Sequence, residues 1–135
     1  MKVCVIGTGY VGLVTGVCLA EIGHDVICVD KDEKKISSLQ KGQVPIFEEG
    51  LEELVRKNID SGRLTFDSDT GSGVKEGEII FICVGTPPLP SGKPDLTAID
   101  DVARMIGKSL NGYKIILNKS TVPIGSAKRI KKIIA

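Results

Sequence analysis

Gly7, Gly9 and Gly12 stand two and three residues apart, directly after the apolar run KVCVI at residues 2–6. The pattern is G-x-G-x-x-G, and its chemistry belongs to the main chain. The first glycine permits a tight turn, the second lets a pyrophosphate meet the backbone, and the third lets the following helix pack on the strand. Where such a turn opens a helix, backbone N–H groups and the positive helix end cradle phosphate without a cationic side chain. The triplet alone is a weak signal. Asp30 strengthens it: this carboxylate follows the second apolar run, VICV at 26–29, and lies 18 residues after Gly12, where an acidic group accepts the hydroxyls of an adenosine ribose. Glycines, context and acid together point to a dinucleotide. A carboxylate at Asp30 repels the 2′-phosphate of NADP, so NAD is the expected cofactor. Lys31, Lys34 and Lys35 offer the counter-argument, because a lysine here either neutralises a phosphate or forms part of a solvated helical face.

Two further stretches fall at strand ends, CVGTPP at 83–88 and NKSTVP at 118–123. In open α/β sheets the ligand crevice forms outside the carboxyl ends of the strands, at the point where the strand order reverses. Thr86 and Thr121 are therefore placed to offer hydroxyls to a cofactor, or to bond their own turns locally. The four cysteines, Cys4, Cys18, Cys28 and Cys83, lie in apolar runs with no C-x-x-C pair, which predicts reduced, buried, structural thiols. His24 is the only histidine and has no Cys or His at ligand spacing, so no metal is expected.

These residues require a particular frame. Runs at 2–6, 26–29, 79–84 and 115–117 are short, continuous and largely β-branched, as in parallel strands covered on both faces, and RLTF at 63–66 is a weaker third strand. Helical patterns fill residues 10–22, 31–41, 48–60 and 96–110, with a last helix starting near Ser126. The alternation predicts an α/β, Rossmann-type doubly wound, mostly parallel sheet. The first helix, YVGLVTGVCLAEI, is apolar nearly all round and is expected to be buried, with Gly16 marking the close approach of another backbone. Strands numbered so far stop one short of two complete βαβαβ halves. The missing sixth strand leaves the edge of strand five, KIILN at 114–118, as a surface through which copies of the chain are expected to associate, with Ile116 at its centre.

Composition narrows the classes further. With 18 Lys and Arg against 17 Asp and Glu, the formal charge of +1 supplies no general attraction for a phosphate polymer or an anionic bilayer. No nucleic acid and no membrane partner are expected. The first apolar run is interrupted at Gly7, too early for a signal-peptide core, and a cytoplasmic location is expected.

The stretches VIGTGYVGL, VDKDEKKI, GRLTFDSD, IIFICVGTPP and NKSTVPIGS resemble the N-terminal, NAD-binding portion of the UDP-glucose/GDP-mannose dehydrogenase family, over essentially the whole chain. GTGYVGL and KSTVPIG are the specific elements. The resemblance implies that Tyr10 and Val11 supply backbone contacts to the pyrophosphate, that Asp30 and Lys35 hold the adenosine ribose, and that Thr86 and Thr121 contact the cofactor. Two departures are visible: the family's E-P-G-L turn reads EEGL, ending at Leu51, and the last residue of its S-T-V-P-[VI]-G-T is Ser126.

Members of that family oxidise a sugar C6 alcohol to a carboxylate in two NAD-dependent steps, through a thiohemiacetal on a cysteine beside a lysine in a later domain. None of the four cysteines here has that glycine-rich context, so no catalytic residue is expected in residues 1–135, which read as one NAD-binding domain of a longer enzyme. The resemblance implies a nucleotide-sugar substrate for the full-length enzyme, and a homo-oligomer is expected. The alternatives are the cofactor domain of another NAD-dependent dehydrogenase, of hydroxyacid or hydroxyacyl type, and a non-enzymatic dinucleotide-sensing module.

Overall fold

Strands that are apolar on both faces are stable only where helices cover each side of the sheet. The computed structural model describes residues 1–46, 48–120 and 125–135. Its elements alternate as β1 (Lys2–Ile6), α1 (Tyr10–Glu21), β2 (Asp25–Val29), α2 (Glu33–Gln40), α3 (Leu51–Asp60), β3 (Leu64–Asp67), α4 (Thr70–Glu76), β4 (Ile79–Ile82), α5 (Thr97–Ser109), β5 (Ile115–Asn118) and α6 (Ser126–Ile134). The strands form one sheet in the order β3-β2-β1-β4-β5, and every pairing is parallel. β1 is central, with Cys4 opposite Ile27 of β2 on one side and Ile80 of β4 on the other.

The period-2 alternation of each strand divides the core into two layers. Val3, Val5, Val26 and Cys28 face Leu13 and Val17 of α1, Ile36 of α2 and Val55 of α3. Cys4, Ile6, Ile27 and Val29 face Val74 of α4, Ile106 of α5 and Ile130 of α6. The chain thus winds one way from β1 to β3 and the other way from β4 to β5. The reversal between β1 and β4 opens a crevice at their carboxyl ends.

Three expectations are corrected. α1 is buried on one side only: Gly12, Leu13, Gly16, Val17 and Ala20 are inside, while Tyr10 and Val11 are exposed. Cys18, on its outer face, is exposed, and only Cys4, Cys28 and Cys83 are buried. At Gly16 the close neighbour is a side chain rather than a backbone, since an added Cβ would lie 2.6 Å from the Cys28 sulfur. One helix, α4, is not marked by any helical pattern in the sequence. TGSGVKE has poor helix propensity, but Asp69 caps it by accepting the Ser72 N–H at 3.2 Å. Its Gly73 lets the helix settle onto the sheet, where a Cβ would stand 2.7 Å from Val29.

Among the described residues no sixth strand is present, and β5 pairs with β4 alone. Ile115 and Leu117 are half-exposed on one face. Ile116, expected at the centre of an associating edge, instead packs toward the layer that contains Ile130 of α6. Lys114 donates to the carbonyl oxygen of Lys75 at 3.0 Å and to that of Gly77, so its charge is turned away from the edge.

Candidate dinucleotide site

β1 delivers the chain to the crevice at Ile6, and Gly7 turns it with φ +103°, a left-handed conformation that side chains other than glycine rarely adopt. Its N–H donates to the Val29 carbonyl at 2.8 Å, which ties the turn to the end of β2. A Cβ at Gly7 would lie 2.5 Å from the Cys83 carbonyl oxygen, and one at Gly12 would collide with the carbonyl oxygen of Gly7. Both glycines are demanded by the fold. Gly9 differs: its φ is −71°, and a Cβ there would meet no atom within 4 Å. Space stands open in front of its main chain, as a pyrophosphate requires. Gly9 is also the N-cap of α1, no side chain caps that end, and the first turn carries no acidic residue. The positive helix end therefore faces the crevice uncompensated.

Asp30 follows β2 and is held by three hydrogen bonds. The Thr8 hydroxyl and the Thr8 N–H both donate to Oδ2, at 2.7 and 3.0 Å, and the Asp32 N–H donates to Oδ1 at 3.0 Å. Lys35 Nζ, on the first turns of α2, is 3.7 Å from Oδ2. Partial burial by itself raises the carboxyl pKa, but the bonds from Asp32 and Thr8 and the charge of Lys35 outweigh it and hold the group below its ordinary value. Asp30 is thus an ionised acceptor at neutral pH.

Two clefts adjoin the turn. The larger, about 370 Å³, is lined by Gly7, Thr8, Gly9, Asp30 and Lys35 on one wall and by Ala98, Val102 and Met105 of α5 on the other. The smaller, about 260 Å³, is lined by Gly9, Tyr10, Val11, Thr86, Lys119 and Ser120. Gly9, Cys83, Val84 and Gly85 belong to both, so the two form one trough across the carboxyl ends of β1 and β4. The acidic end and the threonine end lie on opposite sides of the glycine turn, which is the arrangement needed by a ligand with an adenosine at one end, a pyrophosphate in the middle and a second nucleoside beyond.

The structure therefore brings Gly7, Gly9, Asp30 and Lys35 together at the first cleft and Tyr10, Val11 and Thr86 at the second, with Gly12 packed beneath the turn. Thr121 lies outside the described residues. The Tyr10 side chain leans outward and donates to Glu48 Oε2 at 3.1 Å, so at the turn itself this residue presents its backbone. Of the three lysines near Asp30, Lys31 and Lys35 line the cleft. Several contributors were missed. The Ser120 hydroxyl donates to the Val84 carbonyl at 2.8 Å and fastens the ends of β4 and β5 together. Met105 is an apolar residue left half-exposed on the cleft side of α5, a placement that only the packing of α5 could decide. Cys83 borders both clefts, yet burial pushes its thiol up to about 11 despite the opposing charge of Lys119. It is a thiol, not a thiolate nucleophile, at neutral pH.

Parallel order, glycine turn, the carboxylate at the end of β2 and the divided trough define a dinucleotide-binding domain of the Rossmann type. The chain matches, over residues 1–135, the family described as the UDP-glucose/GDP-mannose dehydrogenase family, NAD binding domain, and it belongs to that family. It is 53% identical over 133 residues to the UDP-glucose 6-dehydrogenase TuaD of Bacillus subtilis strain 168, covering 98% of this chain and 29% of that protein. It is 51% identical over 135 residues to the UDP-glucose 6-dehydrogenase of Rhizobium meliloti strain 1021, covering 99% of this chain and 31% of the relative. Among solved structures, a GDP-mannose dehydrogenase from Pseudomonas aeruginosa, crystallised as a ternary complex, superposes with a TM-score of 0.96 at 36% identity, over 99% of this chain and 32% of that one. The chain thus spans a little under a third of the length of these relatives. Membership of this family disfavours the hydroxyacid and hydroxyacyl alternatives.

Proposed function

We propose that residues 1–135 form the cofactor domain of a UDP-glucose 6-dehydrogenase, a longer enzyme that converts UDP-glucose to UDP-glucuronate while reducing two NAD. The observation that carries the reading is the trough itself, with an ionised carboxylate at one end, an uncapped helix N-terminus in the middle and the Thr86 turn at the other. Gly9, Tyr10 and Val11 hold the pyrophosphate by their backbone, with Gly7 and Gly12 shaping the turn. Asp30 and Lys35 hold the adenosine ribose, while Thr86 and Thr121 contact the cofactor further along. When bound, NAD supplies the hydride acceptor for oxidation of the sugar alcohol.

The nucleophilic cysteine, its lysine partner and most of the sugar pocket belong to the remaining two thirds of the enzyme. That assignment agrees with the unreactive environment of Cys83. The enzyme works in the cytoplasm as a homo-oligomer; buried unpaired cysteines suit a reducing compartment, and no helix among the described residues is long and apolar enough to cross a membrane.

The test is titration of the purified chain with NADH and NADPH. NADH should bind more tightly, and Asp30→Ala should weaken it about tenfold or more, because a hydrogen bond to a charged group is worth about 1.5 to 3 kcal/mol. Equal affinity of the unsubstituted chain for both nucleotides would refute the role of Asp30.

A further inference from the structure

Thr8 occupies the variable place between the first two glycines, where G-x-G-x-x-G specifies no residue type. Yet it is wholly buried, at 0% exposure, among a core that is otherwise almost entirely apolar. A buried hydroxyl is costly unless it is hydrogen-bonded, and valine would fill the same volume without that requirement. The hydroxyl is directed to a single acceptor, Asp30 Oδ2, and the N–H of the same residue goes to the same oxygen. An ionised carboxylate offers about four lone-pair positions. Thr8 engages Oδ2 twice and Asp32 engages Oδ1 once, which leaves an acceptor position on Oδ1 for the ribose and fixes the plane of the group.

We propose that Thr8 is a positioning residue that selects between the two nicotinamide dinucleotides: its hydroxyl locks the Asp30 carboxylate in the orientation that accepts a ribose hydroxyl and keeps the charge pointed at any 2′-phosphate. Without that bond each carboxylate oxygen keeps a single backbone donor, the Thr8 N–H on Oδ2 and the Asp32 N–H on Oδ1, and the group is held less tightly beside Lys35, whose Nζ is 3.7 Å from Oδ2. A less tightly held carboxylate opposes a 2′-phosphate less firmly, beside Lys31 and Lys35 in the same cleft wall. The sequence position that sets specificity is therefore Thr8 together with Asp30, although only Asp30 would touch the cofactor. This inference rests on the reading of Asp30 as the ribose acceptor.

Thr8→Val, Thr8→Ser and Asp30→Asn in the whole chain test it, with dissociation constants measured for NADH and NADPH and thermal unfolding recorded alongside. Thr8→Val should shrink the preference for NADH over NADPH about tenfold, the worth of one hydrogen bond to a charged group, while Thr8→Ser restores it to within about threefold of the unsubstituted chain. A purely structural role would move the unfolding temperature or weaken both nucleotides equally, leaving their ratio unchanged, and that result overturns the proposal. Should Thr8→Val not fold, Thr8→Ala also lacks the hydroxyl and carries the same expectation. If Asp30→Asn abolishes the preference and Thr8→Val keeps it, the ribose reading stands and the proposal for Thr8 falls. If neither substitution changes the ratio, both fall together.

Discussion

Two glycines three residues apart in one motif should respond oppositely to the same methyl group. At Gly9 an added Cβ meets nothing within 4 Å and φ is −71°, a value that alanine adopts freely. Gly9→Ala should therefore leave the fold intact and shift Tm by no more than a few degrees, because the entropy removed from the unfolded chain is offset by alanine being the poorer N-cap. The same methyl stands in the open space before the helix end, where a pyrophosphate has to approach the main chain. Displacing the phosphates loses at least one charge-assisted hydrogen bond of about 1.5 to 3 kcal/mol, so NADH affinity should fall about tenfold to a hundredfold. At Gly12 the Cβ overlaps the Gly7 carbonyl oxygen and lies 3.1 Å from the Cys83 side chain. Neither the backbone nor a buried residue can yield without moving β1 or β4, and Gly12→Ala should cost about 1 to 3 kcal/mol of stability. Thermal unfolding by circular dichroism and NADH titration of both variants separate the effects. Unaltered NADH binding by Gly9→Ala would refute the placement of the pyrophosphate, and a loss of stability as large as that of Gly12→Ala would mean that the apparent space is filled by the protein itself.

Other outcomes follow from the same geometry. Asp30, with its pKa held below the ordinary carboxylate value, favours the folded state at pH above about 4, and that contribution is lost as pH falls through the lowered value. NADH affinity should accordingly be flat between about pH 7 and pH 5, and an acid limb centred above about 5 would show that burial dominates the hydrogen bonds. The chain alone should not produce NADH from UDP-glucose and NAD, because the thiol of Cys83 is pushed up to about 11; steady turnover abolished by Cys83→Ser would contradict this. The outer edge of β5, with Ile115 and Leu117 half-exposed, should support concentration-dependent association visible by light scattering. Leu117→Lys is the variant to shift it toward monomer, since Ile116 packs against the buried layer on the other face; a monomer at every concentration would show that the edge is protected.

Much of this protein could be read without coordinates, for identifiable physical reasons. Continuous β-branched runs such as KVCVI predict strands covered on both faces, and parallel pairing was legible in them, whereas β4 is only half-buried on one face and β5, with Ile115 and Leu117 exposed, is covered on one face only. The turn was legible because backbone sterics admit only glycine at Gly7 and Gly12, and the position of Asp30 at the end of β2 was legible because its distance along the chain is set by one helix and one strand. α4 was not legible: its glycines lower helix propensity, and their use, close seating on Val29 and Cys4, exists only once the sheet is assembled. The exposure of Cys18, Tyr10 and Val11 likewise depended on which side of α1 the sheet and α3 would cover, a choice that an almost uniformly apolar helix does not encode. Thr8 shows the same boundary most plainly. Its type is unremarkable in the sequence, and its role arises because the parallel pairing of β1 with β2 sets the ends of the two strands side by side, bringing a hydroxyl within 2.7 Å of a carboxylate 22 residues away. Local sterics and periodicity are written residue by residue, whereas burial and long-range hydrogen bonds belong to the packed arrangement and were decided there.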